Sequence, residues 1–441
     1  MSNLEDRLRE YSQSGVTPMH MPGHKRNTDL VPSYLSEDIT EISGFDNLHD
    51  PRGLIKDIGT DAAGIWNADA ALLSVNGATA LILSAIMAAD ARGKILIASN
   101  CHISVWHALE LTDNEFAVIN PQTDPKYPFC LLIDPSKVDE MLAADPDIKT
   151  VVITSPTYEG VASDIEAITS VAHTHGTAVI VDEAHGAHLG LDPYFPSSSH
   201  ADVVIKSIHK TLHAPTQTAL LLTYGSMIEP ELIRHYMDIF ETSSPSYILM
   251  EGIARVVYDL KTTPGITSAW VTALKECRGE LNNMQHLKLF SFHGADPSKI
   301  TVLTEGVING NTLAEMLRNR KIEVEASFDT HLIAMTGIGD TGESLTHFAK
   351  VLKEIDAELT GTVTEDNASS LPSSPLELAM PIKDAVRAAS TLTKAEEAEG
   401  KISASYCFKY PPGIPVLIPG QRITADRLRL LGISEVKTVC C

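Results

Sequence analysis

No run of apolar residues in the chain approaches the ~18 that a membrane-spanning helix requires, so no membrane partner is expected. Basic residues are scarce. Lysine and arginine number 34 against 57 aspartates and glutamates, a formal charge of −23. Phosphate backbones demand the opposite sign, so no nucleic-acid partner is expected either. An acidic field weakly favours a cationic substrate, although net charge chiefly reports solubility. Cysteine is sparse as well, with six in 441 residues. Cys101, Cys130, Cys277 and Cys407 are scattered without a CxxC pair, and Cys440 and Cys441 end the chain in what reads as a frayed tail. Neither a disulfide framework nor a metal site is expected. The opening stretch MSNLEDRLREYSQSG lacks the basic start and apolar core of a secretory signal, which makes the cytoplasm the expected location. Solenoid repeats and low-complexity tracts are also missing.

What is present is an ordinary globular composition, 44% hydrophobic and 21% charged, in a chain long enough for a large α/β domain and a second domain. Residues 1–40 read as an amino-terminal arm with a short helical stretch from Leu4 to Tyr11. Short β-branched and apolar runs follow at Asp69–Val75, Lys94–Ala98, Thr150–Thr154, Ala178–Val181 and Val203–Ile205, most of them leading into a helical pattern. That alternation predicts a parallel sheet covered on both faces, spanning a large domain over 41–262. From about Pro264 longer helical stretches (Ser268–His286, Leu313–Arg320) alternate with strands (Lys299–Thr304, His331–Met335), predicting a small α/β domain over 263–361. A Ser/Thr-rich stretch, Thr362–Pro375, reads as a linker into a carboxy-terminal domain over 362–441.

Ser207-Ile-His-Lys-Thr211 follows a strand, which puts Lys210 in a loop at a strand's carboxyl end, the edge of open parallel sheets where ligands bind. A lysine amine there can condense with an aldehyde cofactor, and Ser207 and His209 offer donors suited to a phosphate. A plain surface lysine would leave the same trace. Asp182 bears on that choice. It follows four apolar residues, and a carboxylate at a buried strand tip needs a positive partner. The pyridinium nitrogen of pyridoxal phosphate is one; a metal or a helix cap are others. Asp182 precedes Lys210 by 28 residues, about one βαβ step, so both can reach one cofactor. Asn76-Gly-Ala-Thr79 sits between strand and helix, where backbone amides and the Thr79 hydroxyl suit an anion. His102, in the loop after another strand, is a candidate to stack on a cofactor ring.

With these residues assembled, the chain resembles the ornithine/lysine/arginine decarboxylase family of fold-type-I pyridoxal-phosphate enzymes, in its short form without a receiver-like amino-terminal domain. Eight motifs stand in the family's order: His20-Met-Pro-Gly-His-Lys25; Asp38-Ile-Thr-Glu41 with Asp46-Asn-Leu-His49; Asn76-Gly-Ala-Thr79; Asn100-Cys-His102; Thr154-Ser-Pro-Thr-Tyr158-Glu-Gly160; Asp182-Glu-Ala-His185-Gly-Ala-His188; Ser207-Ile-His-Lys210 with Thr216-Gln-Thr218; and Tyr410-Pro-Pro-Gly-Ile-Pro415. The resemblance implies an aspartate-aminotransferase-like large domain, with smaller carboxy-terminal parts. It implies that Lys210 carries the cofactor and that Asp182 partners its pyridinium. His102 stacks on the ring. Ser207, His209 and Thr79 hold the phosphate with the Ala78 backbone, Ala184 and His185 flank the ring, and Thr157 lies near its hydroxyl edge.

The implied reaction is decarboxylation of arginine, lysine or ornithine to the amine, as in polyamine biosynthesis, with Lys210 or His209 returning the proton. A homodimer with sites at the subunit interface is implied too. Three positions depart from the pattern: Ala78 where a hydroxyl residue is common, Ile103 where a lysine often stands, and Gln421 where a glutamate is usual. An aminotransferase or other pyridoxal-phosphate lyase on the same fold is the alternative from within enzymes. A catalytically silent homologue with a regulatory or interaction role is the alternative from outside them.

Overall fold

A computed structural model describes residues 3–27, 29–90, 92–112, 115–198, 200–360, 374, 376–408 and 413–440. The Tyr410-Pro-Pro part of the last motif, almost all of the Thr362–Pro375 stretch and Cys441 lie outside the described residues.

Seven strands make the main sheet: β1 (Ala70–Ser74), β2 (Lys94–Ala98), β3 (Phe116–Ile119), β4 (Ile148–Thr154), β5 (Ala178–Asp182), β6 (Val203–Lys206) and β7 (Ala219–Thr223). Their order across the sheet is β1-β7-β6-β5-β4-β2-β3. Strands β2 to β6 pair in parallel, while β7 runs antiparallel to both β6 and β1. Every residue of β5, β6 and β7 is buried, as unbroken Val/Ile/Leu runs require when helices cover both faces.

Flanking this sheet are α1 (Asn3–Gln13), α2 (Leu54–Ile65), α3 (Gly77–Asp90), α4 (Ile103–Leu111), α5 (Pro135–Ala144), α6 (Ile165–Thr174), the single turn α7 (Ile208–Thr211), α8 (Pro230–Phe240) and α9 (Tyr247–Thr262). The helix expected near the amino terminus forms as α1, which buries Leu4 and Leu8 in the main core. Asp134 and Asp164 cap α5 and α6 by accepting from Ser136 N and Ala167 N.

A second core gathers α10 (Ser268–Leu281), α11 (Gly310–Asn319) and α12 (Gly342–Glu358) with a sheet of β8 (Lys288–Leu289), β9 (Lys299–Leu303), β10 (Ala326–Ser327) and β11 (His331–Met335). Its strand order is β10-β11-β9-β8, and all pairs are antiparallel. Helix α10 stops at Leu281, short of the predicted His286, because the Asp356 carboxylate accepts from the amides of Gln285, His286 and Leu287 at 2.6–2.9 Å. Those amides are satisfied outside a helix. The last part holds α13 (Ile382–Arg387), α14 (Ala425–Leu431) and two antiparallel pairs, β12 (Ser390–Lys394) with β15 (Glu435–Val439) and β13 (Cys407–Phe408) with β14 (Pro415–Leu417). Among the described residues no helix is long and apolar enough to cross a membrane.

Candidate active site

The carboxyl ends of β5 and β6 lie side by side, with Asp182 registered against Ile205. Asp182 closes β5 and is only 4% exposed, and its Oδ1 accepts from Ala184 N at 3.1 Å. Lys210 does not sit in a loop, as the sequence suggested, but in the single turn α7 that begins right after Ser207. Burial lowers the affinity of its amine for a proton; the Asp182 and Glu325 charges oppose that.

The next residue along each strand tip points the other way, as strand alternation requires. Glu183 and Lys206 meet in a fully buried ion pair, and the Lys206 amine also lies 5.4 Å from the Trp66 ring centroid. Lys206, although close in sequence, is thereby committed to Glu183.

Three histidines surround the Lys210 amine. His185 Nε2 is 2.9 Å from Lys210 Nζ, and burial holds its ring well below the ordinary histidine range, so it is neutral at neutral pH. His102 is the N-cap of α4: its Nδ1 accepts from Ser104 N at 3.2 Å and meets Ser104 Oγ at 2.8 Å. The hydrogen of a neutral His102 therefore sits on Nε2. Burial depresses its proton affinity, Lys210 and His107 add to that, and Asp182 opposes. His209 Nδ1 lies 2.9 Å from the Thr218 carbonyl, which can only accept, so that nitrogen carries the hydrogen. Burial lowers the proton affinity of this ring too. A neutral His209 thus has a lone pair on Nε2, and it could donate from both nitrogens only as an imidazolium.

Gly77, at φ +75°, opens the 14-residue helix α3 directly after the β1 turn, with Ala78 buried and Thr79 exposed behind it. The first amides of a helix have no partner within it and face an anion readily. A Cβ at Gly77 would stand 3.8 Å from Gln217 O, which places the Thr216–Thr218 turn beside this helix start. Thr157, 4% exposed, spends its hydroxyl in its own turn by accepting from Val161 N at 3.1 Å.

Residues given no role from the sequence join the site from β9 and from the turn after β4. Lys299, the first residue of β9 and 2% exposed, brings its Nζ to 2.9 Å from His185 Nδ1. Tyr158 packs edge-on to His185 at 5.1 Å, and its hydroxyl donates to Glu325 Oε1 at 2.9 Å. The Glu159 carboxyl is pushed up to about 7 by burial. The signal for Lys299 was the one used for Asp182, a charge abutting an apolar strand. Its partner lies 114 residues earlier, in the turn after β5, and no local pattern reports that.

Gly160, at φ +98°, is what lets the Lys299 stem pass. A Cβ there would stand 2.8 Å from Lys299 Cβ and 2.9 Å from its Cγ. Gly160→Ala is expected to cost about 2–4 kcal/mol from backbone strain plus overpacking, seen as a lower urea midpoint. An unchanged midpoint would show that the stem can give way.

Two departures from the family pattern have visible settings. Ile103 opens α4, and its amide donates to Gly413 O at 3.0 Å, tying the His102 turn to the carboxy-terminal segment. Gln421 is fully buried in its own turn, its Oε1 accepting from Ile418 N at 3.1 Å. Its Nε2 is buried without a hydrogen-bond partner among the described residues.

A sheet of this order, with an acid at one strand tip and a lysine in the turn just past the next, is the frame of a cofactor-dependent α/β enzyme, and comparison with known proteins narrows the class. The family model for the Orn/Lys/Arg decarboxylase major domain matches residues 3–304, and that for the Orn/Lys/Arg decarboxylase C-terminal domain matches 362–435. Arginine decarboxylase of Bacillus anthracis is 28% identical over 96% of this chain and 91% of its own. The uncharacterized protein YaaO of Bacillus subtilis is 30% identical over 98% and 94%. Constitutive lysine decarboxylase of E. coli superposes with a TM-score of 0.82 at 17% identity, covering 100% of this chain and 82% of that one. SPT solved with PLP superposes at 0.54 with 13% identity over 69% and 77%, a likeness of fold alone.

The chain belongs to the Orn/Lys/Arg decarboxylase family. It has the fold-type-I architecture and is an amino acid decarboxylase dependent on pyridoxal phosphate. The residues present fit that group. A nearly buried carboxylate suits a ring cation, a half-buried amine with lowered proton affinity suits an aldehyde, and the start of α3 suits a phosphate.

Proposed function

We propose that this protein decarboxylates a basic amino acid, arginine foremost, at the cluster around Lys210, releasing CO₂ and the corresponding amine. The observation that carries this reading is the placement of Asp182 at the tip of β5 and of Lys210 in the helical turn just past the tip of neighbouring β6, in this family's fold. Pyridoxal phosphate, when bound, supplies an aldehyde for amino groups and a ring cation that draws electrons from the breaking C–C bond.

The chain's own residues do the rest. Lys210 would hold the cofactor, and Asp182 would keep the ring nitrogen protonated by facing it with a fixed charge. His102 would cover one ring face, with Ala184 and His185 flanking the ring and Thr157 near its hydroxyl edge. Thr79, the Ala78 amide and Ser207 would hold the phosphate, and His209 would join them through Nε2 in its imidazolium form. Burial of Lys210 leaves part of its amine neutral, which is the nucleophilic form. The same amine, or His209 in its imidazolium form, would return a proton to Cα once CO₂ has left.

Glu325 carries a negative charge close enough to act on both Lys210 and Lys299, the sign a cationic substrate side chain needs. Arginine is placed first because the arginine decarboxylases of three Bacillus species share 28% identity across almost the whole chain, whereas the lysine decarboxylases share 21–22%. We further place the protein in the cytoplasm, as a homodimer with its sites at the subunit interface, making amines of the class from which polyamines are built.

The test is to incubate the cofactor-loaded protein with arginine, lysine and ornithine separately, and to identify the products. The reading expects CO₂ and one amine, with arginine turned over at the highest kcat/KM. A keto acid in place of CO₂ would make it an aminotransferase, and no turnover of any of the three would remove the proposed substrate class.

A further inference from the structure

His185 is held between two lysine amines. Its Nε2 lies 2.9 Å from Lys210 Nζ, and its Nδ1 lies 2.9 Å from Lys299 Nζ. A neutral imidazole has one N–H and one lone pair, so it donates to one neighbour and accepts from the other. An ammonium group has no lone pair and cannot accept. Both contacts can therefore be made only when at least one lysine is a neutral amine. The three groups together can hold at most one excess proton.

We propose that Lys299 is the proton partner of Lys210, coupled to it through His185, and that it takes up the proton Lys210 must lose before it can bond to the cofactor. The inference rests on the reading of Lys210 as the cofactor-bearing lysine. In one state the Lys210 ammonium donates to His185 Nε2, and Nδ1–H donates to a neutral Lys299. A proton passes from Lys210 to Nε2 while the Nδ1 proton passes to Lys299. In the second state Lys210 is a neutral amine accepting from Nε2–H, and the Lys299 ammonium donates to Nδ1. The charge is +1 before and after, and no bond other than N–H changes. Lys299 is thus a positioning residue for the site's protons.

The surroundings suit a shared proton. The ring of His185 stays neutral because it is buried, with Lys299, Lys210, His102 and His209 all pushing the same way. Facing Lys299 are Asp296, Glu325 and Glu159, all favouring its charge, and Lys210 opposing it; burial brings the amine down to about 8. Asp296 is itself anchored by the fully buried His188 at 3.1 Å and by Ser298 at 2.7 Å. Facing Lys210 are Asp182 and Glu325, both favouring charge on its amine. Gly160 keeps the passage open for the Lys299 stem, and Tyr158 closes the site with the amine 6.0 Å from its ring centroid.

The test uses the full chain stripped of cofactor. The rate at which it takes up pyridoxal phosphate covalently is followed by absorbance across a pH series, alongside urea unfolding of the same proteins. Uptake requires neutral Lys210, so the midpoint of the rate profile reports that amine. In Lys299→Met the proton has nowhere else to go and a repelling charge is gone, so the midpoint is expected to rise by about one pH unit. Lys299→Arg keeps a permanent donor to Nδ1, which forces Lys210 to be the neutral partner, and its midpoint is expected at or below the wild-type value.

A Lys299→Met midpoint equal to wild type, even with lowered stability, would show that the side chain only fills space beside Gly160. If that variant does not fold, a Lys299→Arg midpoint above wild type overturns the proposal by itself. If the wild-type protein forms no link at Lys210, the functional reading falls and this inference falls with it.

Discussion

Lys210→Ala is expected to eliminate the absorption band of covalently bound cofactor and to bring CO₂ release from arginine to background. Two losses combine. The cofactor loses its covalent anchor, so it is held only by contacts to its phosphate and ring. The site also loses the amine placed to return a proton to Cα, and positioned proton transfer alone is worth on the order of 10²–10⁴-fold. Fold stability should change little, because the Lys210 side chain is half-buried at the end of a one-turn helix and supports no core. The two other lysines that could replace it have engagements of their own: Lys206 is in the buried pair with Glu183, and Lys299 bonds to the far side of His185. A variant that keeps the band and the activity would mean that another lysine carries the cofactor.

Asp182→Asn is expected to lower kcat by about 10²–10⁴-fold while leaving the covalent band in place. The substitution preserves shape and the hydrogen bond from Ala184 N, so the fold has no reason to change. On the proposed reading, what it removes is the charge that would face the ring nitrogen. Leaving a buried cation without its partner costs about 3–5 kcal/mol, and each ~1.4 kcal/mol on the barrier is tenfold in rate. Without the Asp182 charge nothing at that strand tip would favour a proton on the ring nitrogen of bound cofactor, and the electron withdrawal it supplies would be weakened. The phosphate contacts proposed for Thr79 and Ser207 would be untouched, so cofactor affinity should fall far less than kcat. A kcat within tenfold of wild type would show that Asp182 does not face the ring nitrogen.

Some of this arrangement could be read before any coordinates, for reasons that differ from residue to residue. Strands β2 and β11 occupy the predicted spans Lys94–Ala98 and His331–Met335, because apolar runs bounded by polar residues leave little choice of limits. Asp182 stood out because a charge directly after four buried residues needs a reason. The direction of β7 did not, since Ala219–Thr223 is an apolar run that reads alike in either orientation. The small sheet was predicted as part of an α/β unit, yet its strands are all antiparallel, for the same reason. Lys210 was placed after the correct strand, but one linking residue, Ser207, and a single four-residue helical turn carry no distinguishing periodicity. Lys299 was read as the start of a strand and nothing more. Its meaning depends on contact with His185 across two sheets, which only the folded chain brings together. The motif ending Tyr410-Pro-Pro carries an expectation on residues outside those described, with Gly413 O on the Ile103 amide as its nearest visible anchor.

The central claim is that one amine, that of Lys210, carries the cofactor opposite Asp182. Borohydride reduction of the loaded protein, followed by proteolysis and mass spectrometry, fixes the cofactor permanently to whichever lysine holds it. The account predicts the added mass on the peptide containing Ser207-Ile-His-Lys210 and on no other. The same mass on a peptide containing Lys206 alone or Lys299, or on none, would contradict it.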